Sequence, residues 1–157
     1  MAIDALVARI LAAEDDVSAS AIDAVHQVLD DTSIDASAAP KSVAEAAALV
    51  GLSTHTLRYY EDQHLVRPTR NASGYRQYTE ADLRRLVFLT RMRLSGMTIQ
   101  DLKRYVALVE AGPSTVPERR QIMLEQRARI RRQLRELALA LETTEYKIRT
   151  YDGHPEG

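Results

Sequence analysis

The sequence predicts a mainly α-helical fold, with a head built of short helices and one small β-hairpin, followed by one long C-terminal helix. Residues 42–62 contain two short helical segments separated by a glycine turn. Residues 66–78 combine a proline, turn-forming residues and tyrosines, which indicates a hairpin. Residues 118–151 contain neither glycine nor proline. These three features predict a winged helix-turn-helix head joined to a dimerisation helix.

The helix-turn-helix is predicted from its caps and its turn. Ser42 and Glu45 form an S-x-x-E capping box, Gly51 allows the positive φ that the turn requires, and Ser53 caps the second helix. Leu57 and Tyr60 point back into the joint between the helices. The outer face then carries Thr54, His55, Arg58 and Tyr59. This arrangement is typical of a recognition helix that enters the DNA major groove, with an ordinary αα-hairpin as the alternative.

A β-hairpin wing is predicted after the second helix. Pro68 is excluded from a helix interior, Asn71 and Gly74 favour a turn, and the flanking tyrosines favour strands. Arginines on such a hairpin suit contacts to DNA phosphates, which fix the register of the protein without reading bases. A charged surface loop is the alternative for each one. The arginines concerned are Arg67, Arg70 and Arg76.

Two further helices are predicted to complete the head. Thr79 and Asp82 mark the start of the first, which Gly96 ends, and Thr98 and Asp101 mark the start of the second. Arg91 and Arg93, at the end of the first of these helices, are candidates for phosphate contacts on the flank of the site. Arg93 is the better candidate, and plain solvation is the alternative for both.

The long helix is predicted to run from about Pro117 to Tyr151, roughly 50 Å at 1.5 Å per residue. Its apolar residues alternate spacings of three and four, which is typical of a coiled-coil seam. One such helix must either fold onto its own head or pair with a second copy, and we favour a two-fold homodimer with two recognition helices. The predicted dimerisation residues are Met123, Ile130, Leu134, Leu137, Leu141 and Ile148.

Residues 1–40 are predicted to be an acidic helical extension and linker, before the DNA-binding domain (41–112), the dimerisation helix (113–151) and a flexible tail (152–157). Ile3, Leu6, Val7, Ile10 and Leu11 predict a first amphipathic helix that ends at the acidic turn of residues 14–16. Ile22, Val25 and Leu29 are expected to form the inner stripe of a second helix. Packing on the main body, a protein contact, and autoinhibition of the head remain open as roles for this extension.

Charge is distributed unevenly along the chain. The net charge is −1, yet residues 1–40 hold one basic and eight acidic residues, whereas residues 41–112 hold eleven basic and seven acidic. The part predicted to bind DNA is therefore basic. The chain has no cysteine, which excludes disulfides and thiolate metal sites. It also lacks an apolar run of membrane-spanning length, so a cytoplasmic location without membrane contact is expected.

No enzymatic site emerges from the sequence. The four histidines (His26, His55, His64 and His154) are scattered, and none has the spacing of a nucleophile–base pair or a metal site. We therefore predict neither catalysis nor a cofactor.

The chain from Lys41 to Tyr151 resembles the MerR family of transcription regulators. The resemblance is carried by T-L-R-Y-Y-E at residues 56–61, G-Y-R-Q-Y at residues 74–78 and L-S-G-M-T-I at residues 94–99. The segment E-Y-K-I-R-T-Y at residues 145–151 is similar to the small aldehyde- or stress-responsive branch.

Membership would imply a homodimer joined by an antiparallel coiled coil and bound to double-stranded promoter DNA. Such regulators bend and untwist an overlong spacer so that RNA polymerase can use both promoter elements. The resemblance implies base or backbone contacts from the recognition helix, wing contacts from Arg76 and Tyr78, a flank contact from Arg93, and a mainly packing role for Tyr75. With Arg70, the predicted DNA-binding residues are Thr54, His55, Arg58, Tyr59, Arg70, Tyr75, Arg76, Tyr78 and Arg93.

The sequence also departs from the family pattern. Without cysteine, thiolate metal sensing and cysteine-based aldehyde sensing are excluded. An unknown small-molecule or protein effector is instead expected at the coiled-coil end, between head and helix, or at the N-terminal extension. His64 stands where many relatives have glycine at the helix exit. A non-transcriptional module that sequesters a ligand or protein on the same fold is the alternative function.

Overall fold

The computed structural model describes residues 2–12, 18–30 and 34–153, and this part of the chain is mainly α-helical with one two-stranded hairpin. The acidic turn predicted at residues 14–16 and the tail beyond residue 153 lie outside the described residues. The elements are α1 (Ile3–Leu11), α2 (Ala19–Leu29), α3 (Val43–Val50), α4 (Thr54–Asp62), β1 (Thr69–Arg70), β2 (Arg76–Gln77), α5 (Glu80–Leu94), α6 (Ile99–Ala111), a short 3-10 turn (Pro113–Thr115) and α7 (Val116–Asp152).

Local capping chemistry sets the helix starts, as the sequence predicts. The Ser42 hydroxyl accepts from the Glu45 amide while the Glu45 carboxylate accepts from the Ser42 amide, and Thr79 with Asp82 repeats this box at α5. Thr98 caps α6 through the Asp101 amide. These interactions satisfy backbone donors that a helix start leaves without intrahelical partners. The residue that ends α3 is Gly51, in the left-handed region at φ 71°.

The head and the N-terminal extension share one apolar core. Helix α1 buries four apolar side chains in the same cluster that contains Leu57 of α4. These residues are Ile3, Leu6, Val7 and Ile10. Helix α1 packs against α2, α3 and α5. The extension is therefore an integral layer of the head, on the side formed by α3 and α5, and the outer face of α4 stays exposed. The described residues of the extension therefore do not cover the outer face of α4, as autoinhibition by covering would require.

The inner stripe predicted for α2 is wrong at Ile22 and Leu29, although Val25 packs against the core. Ile22 and Leu29 are exposed and Val25 is half-buried, whereas the stripe one residue earlier, Ala21, Ala24 and Val28, is buried. Small side chains allow α2 to lie close to its neighbours. The buried Arg84 of α5 fixes this orientation, because its guanidinium donates to the carbonyls of Gln27 and Val28 at the end of α2. Glu80 neutralises that guanidinium at 2.6 Å, and both side chains are buried.

Helix α7 has two halves with different surroundings. Its first half lies on its own head, where Ile122 and Gln126 are buried and Met123 packs against the core. The amides of Gln126 and Gln133 both donate to the Ser95 carbonyl, at 3.1 and 3.0 Å. From Leu134 onward every side chain to residue 153 is exposed. Although α7 has 37 residues, neither it nor another described helix is apolar enough to cross a membrane.

Candidate nucleic-acid interface

Helix α4 presents a polar outer face from a firmly held position. The Ser53 hydroxyl accepts from the Thr56 amide at 3.0 Å, which begins the helix. Leu57 and Tyr60 are buried on the inner side and attach α4 to the core. The opposite side carries Thr54, which is half-buried, and His55, Arg58 and Tyr59, which are exposed. These four residues form one surface at the first two turns, as the sequence predicts.

The exit of α4 is a strained turn. His64 has φ 59°, a left-handed conformation that side chains with a Cβ adopt less readily than glycine. Its amide donates to the Glu61 carbonyl at 2.9 Å, and the next two residues, Leu65 and Val66, are fully buried. The left-handed turn is therefore retained with histidine in place of glycine, and it directs the chain from α4 into the wing.

The wing is a short hairpin with a tightly bonded tip. Strand β1 pairs with β2 in antiparallel register, Thr69 opposite Gln77 and Arg70 opposite Arg76. The Asn71 side-chain oxygen accepts from the amides of residues 73 and 75, each at 3.0 Å. The guanidinium of Arg70 is exposed, and one of its nitrogens donates to the Gly74 carbonyl at 2.9 Å. The tip is thus ordered by its own side chains and leaves arginine at the surface.

Arg76 joins the wing to the recognition helix. Its Nε donates to the carboxylate of Glu61 in the last turn of α4, and each side chain is about one quarter exposed. This hydrogen bond raises the pKa of the Arg76 guanidinium above its usual value, so the charge is permanent. The two terminal nitrogens have no hydrogen bond to the described residues. Arg76 therefore has a structural partner in addition to its predicted phosphate contact.

The two wing tyrosines occupy the reverse of their expected positions. Tyr78 is fully buried, and its backbone exchanges two hydrogen bonds with Lys41 at 2.8 and 2.9 Å. Burial raises the pKa of its hydroxyl, which has no hydrogen-bond partner among the described residues. Tyr75, by contrast, is 72 % exposed. The expectation that Tyr75 packs is therefore wrong, and Tyr78 is a core residue that cannot present its ring to DNA.

Arg93 lies at the end of α5, close to α4. It is exposed, and one terminal nitrogen donates to the Met97 carbonyl at 2.7 Å across the α5–α6 turn. The same guanidinium approaches the hydroxyl of Tyr60, whose pKa is raised by burial and lowered in part by Arg93. These contacts hold the Arg93 cation beside the recognition helix. Its remaining N–H groups can donate hydrogen bonds to a flanking phosphate there.

Sequence reasoning missed two sets of polar contacts that fix the head, one around Glu110 and one at Ser95. Glu110 of α6 accepts from Arg67 at 3.2 Å and from Arg85 at 3.4 Å, which lowers the pKa of its carboxyl, with the Arg67 hydrogen bond as the largest cause. Arg67 is thus engaged with α6. The contacts of Gln126 and Gln133 could have been predicted from the sequence. Both residues share a helical face with Ile122, at spacings of four and seven, and this face is separate from the seam.

Within the described residues, no group of three or more potential ligands could hold a metal ion.

The fold and this surface define a winged helix-turn-helix DNA-binding protein. Two family profiles match the chain: "MerR HTH family regulatory protein" over residues 41–108 and "MerR, DNA binding" over residues 83–143. The regulator HmrR of Rhizobium leguminosarum bv. viciae is 34 % identical over 113 residues, which cover 72 % of this chain and 88 % of HmrR. The chain belongs to the MerR family of transcriptional regulators.

Solved structures show the same relationship. HiNmlR, described as a MerR family regulator lacking the sensor domain and bound to promoter DNA, superposes with a TM-score of 0.68 at 31 % identity, covering 73 % of this chain and 91 % of that one. A MerR family regulator from Bacillus thuringiensis superposes with a TM-score of 0.66 at 26 % identity, covering 71 % and 99 %. Family membership confirms the expectation of a mainly α-helical, DNA-binding transcriptional regulator.

Proposed function

We propose that this protein binds double-stranded promoter DNA as a homodimer and distorts the promoter spacer to control RNA polymerase. The observation that carries the proposal is the set of arginines and tyrosines exposed on α4, on the wing that follows it and at Arg93. A long helix with an unpaired apolar stripe continues from the same head. Both features are required for two reading heads held at a fixed separation on one duplex.

We assign base reading to the outer face of α4 and backbone positioning to the rest. Thr54, His55, Arg58 and Tyr59 lie on the first turns of α4, the part of a recognition helix that reaches base edges. The positioning contacts come from the wing and from α5, namely Arg70, Tyr75, Arg76 and Arg93. Tyr78 is omitted from the contact set because it is buried, and we assign it the role of anchoring the wing to Lys41.

Dimerisation is supported by the exposed half of α7. Leu134, Leu137, Leu141 and Ile148 are between 53 % and 65 % exposed and lie on one side of the helix at spacings of three, four and seven. An apolar stripe of this length is rarely left in water by a soluble protein. We propose that it pairs with α7 of a second copy in an antiparallel coiled coil. Ile130 is half-buried at the end of that seam next to the head. Met123, also predicted for the seam, packs against the core of its own head and is therefore omitted from it.

Spacer distortion explains how such a dimer would regulate. Rigid heads attached to a rigid helix pair fit only DNA of one curvature and twist, and the DNA must be deformed to match. Arg76 and Arg93 stabilise this rigidity, since each is bonded to a neighbouring element of the head. The promoter DNA bound by HiNmlR supports the same class of target. A small-molecule or protein effector would act by changing the separation or angle of the two heads.

A non-transcriptional binding module is disfavoured by the same surface. Such a module has no use for His55, Arg58 and Tyr59 exposed together beside a wing with Arg70 and Tyr75 at its surface. Within the described residues, the acidic extension leaves this surface open.

The experiment is a comparison of binding to the upstream region of the protein's own gene and to random DNA. Arg58→Ala should weaken binding to the specific site more than binding to random DNA, by roughly 1–3 kcal/mol if Arg58 contacts a base edge. Arg132→Ala, an exposed arginine on α7, is the matched control and should leave the ratio unchanged. Equal losses on both DNAs would reassign Arg58 to positioning, and no detectable binding by a folded protein at low salt would contradict the proposal.

A further inference from the structure

A cavity lies between the N-terminal extension and the helix-turn-helix. Its volume is about 190 Å³, and its walls come from α1, from the turn between α3 and α4, and from α5. Val7 and Ile10 form the first wall, Val50 and Leu52 the second, and Val87 the third. Leu11 and Leu94 lie at its rim and are 50 % and 75 % exposed. The cavity is therefore apolar and open to solvent on one side.

Arg91 is the one charged side chain among the residues that line this cavity. The side chain is half-buried, and its guanidinium makes no hydrogen bond or ion pair with the described residues. Its neighbours differ in this respect, because Arg84 and Arg85 on the same helix each bind a carboxylate. Thr90, the other polar lining side chain, already donates its hydroxyl proton to the Leu86 carbonyl at 2.8 Å. A guanidinium beside apolar walls and without an anion is suited to a ligand that supplies one.

We propose that this cavity binds a small apolar molecule with a single carboxylate and is the effector site of the regulator. The apolar walls would cover the hydrocarbon part, and Arg91 would pair with the carboxylate at the open side. Pockets for drug-sized molecules span roughly 300–1,000 Å³, so the smaller volume here limits the occupant to a compact acid. The chemistry favours an aliphatic or monocyclic carboxylate over a sugar, a nucleotide or a metal ion.

The cavity is linked to DNA recognition through its second wall. Gly51 and Leu52 form the turn that sets the direction of α4, and the Leu52 amide donates to the Ala47 carbonyl at 3.0 Å. Thr54 begins α4 only two residues after Leu52. A ligand against Leu52 therefore contacts the segment that positions the recognition helix. This regulatory role rests on the proposed function, whereas binding to the cavity can be measured without DNA.

The first measurement is calorimetric titration of the full-length protein, without DNA, with octanoate and with the isosteric neutral octanamide. Octanoate should bind with one site per chain and about tenfold more tightly than octanamide, since a charged hydrogen bond contributes roughly 1.5–3 kcal/mol. Arg91→Gln should abolish this preference and leave octanamide affinity unchanged. Equal affinities in the unaltered protein, no saturable binding, or an unchanged preference in Arg91→Gln would overturn the site.

A second pair of variants locates the binding. Leu11→Glu places a carboxylate at the rim, where it repels octanoate and competes for Arg91. Leu29→Glu is the matched control, because Leu29 is equally exposed, at 49 %, but lies on α2 outside the cavity. Octanoate affinity should fall at least tenfold in the first variant and stay unchanged in the second. Equal effects of the two substitutions would contradict binding in this cavity.

The third measurement is affinity for promoter DNA with and without saturating octanoate. By thermodynamic reciprocity, a ligand that changes the position of α4 changes DNA affinity, and DNA changes ligand affinity by the same factor. We expect a change of at least fivefold in the unaltered protein and none in Arg91→Gln. Saturable octanoate binding with no change in DNA affinity would overturn the effector assignment, and it would leave DNA binding by the head intact.

Discussion

Glu61, in the last turn of the recognition helix, accepts a hydrogen bond from Nε of Arg76 on the second wing strand. The two residues are fifteen positions apart, and the chain between them contains the left-handed turn at His64 and the whole tip of the wing. This ion pair therefore fixes the angle between the element proposed to read bases and the element proposed to contact phosphates. It also leaves the terminal nitrogens of Arg76 without a partner among the described residues.

The Glu61–Arg76 pair should be measurably coupled. In a double-mutant cycle with Glu61→Ala and Arg76→Ala, we expect a coupling of roughly 0.5–3 kcal/mol in the free energy of unfolding, because both side chains are mostly buried. The Arg104–Glu118 pair is the control, since both of its side chains are at least half exposed, and its coupling should be smaller. Denaturant titration of the unaltered protein, the two single variants and the double variant of each pair provides the measurement. Indistinguishable couplings would remove the proposed role in orienting the wing.

The wing tyrosines should respond in opposite ways to substitution. Tyr78→Phe removes a buried hydroxyl without a hydrogen-bond partner among the described residues, so stability should be unchanged or should rise by up to about 1 kcal/mol. DNA affinity should not change. Tyr75→Ala should leave stability nearly unchanged and weaken DNA binding, because Tyr75 is exposed on the wing. Thermal unfolding and DNA titration of both variants test this, and a specific loss of DNA affinity in Tyr78→Phe would contradict the assignment.

The attachment of the N-terminal extension should depend on Arg84. Arg84→Met leaves the Glu80 carboxylate buried without its cation and removes donors from the last carbonyls of α2. We expect a loss of about 3–5 kcal/mol in the free energy of unfolding. Adding Glu80→Gln should recover part of it, because no charge then remains buried. Arg85→Met, on the same helix but one third exposed, is the control and should cost far less; an equal loss in both would show that burial of the pair is unimportant.

Stability should depend on pH through the capping box of α3. The Ser42 backbone amide donates to the Glu45 carboxylate at 2.7 Å, and this bond lowers the pKa of Glu45 below its usual value. A lowered folded-state pKa means that the contribution is fully present above the ordinary glutamate pKa of about 4.3 and is lost as pH falls through the folded value. The stability difference between the unaltered protein and Glu45→Ala should therefore narrow in acid. Urea titrations of both proteins across this pH range provide the measurement, and a difference that stays constant in acid would contradict the assignment.

Local signals were sufficient to predict most helix starts and which face of α4 is exposed. Ser42, Thr79 and Thr98 each bond within three residues, so their roles depend on spacing alone. The outer face of α4 follows from the burial of Leu57 and Tyr60 on its other side. Contacts of this range are determined by helical geometry and need no knowledge of the rest of the fold.

Long-range contacts decided the points that sequence reasoning missed or got wrong. In α2, the stripes containing Ile22 and Ala21 differ by one residue, and hydrophobicity alone favours the wrong one. The correct face is set by Arg84, which is 57 positions away from Gln27. The burial of Tyr78 likewise depends on a backbone bridge to Lys41, and the seating of α7 depends on Ser95. Such pairings depend on tertiary packing, which overrides local preference.

Sedimentation equilibrium tests the proposed pairing of two reading heads most directly. The unaltered protein should have the mass of two chains, and Leu137→Asp should have the mass of one, because it places a charge in the proposed seam of α7. Leu139→Asp, with a similarly exposed leucine on a different side of the helix, should remain a dimer. A single-chain mass for the unaltered protein, or a dimer that persists in Leu137→Asp and dissociates in Leu139→Asp, would contradict the account.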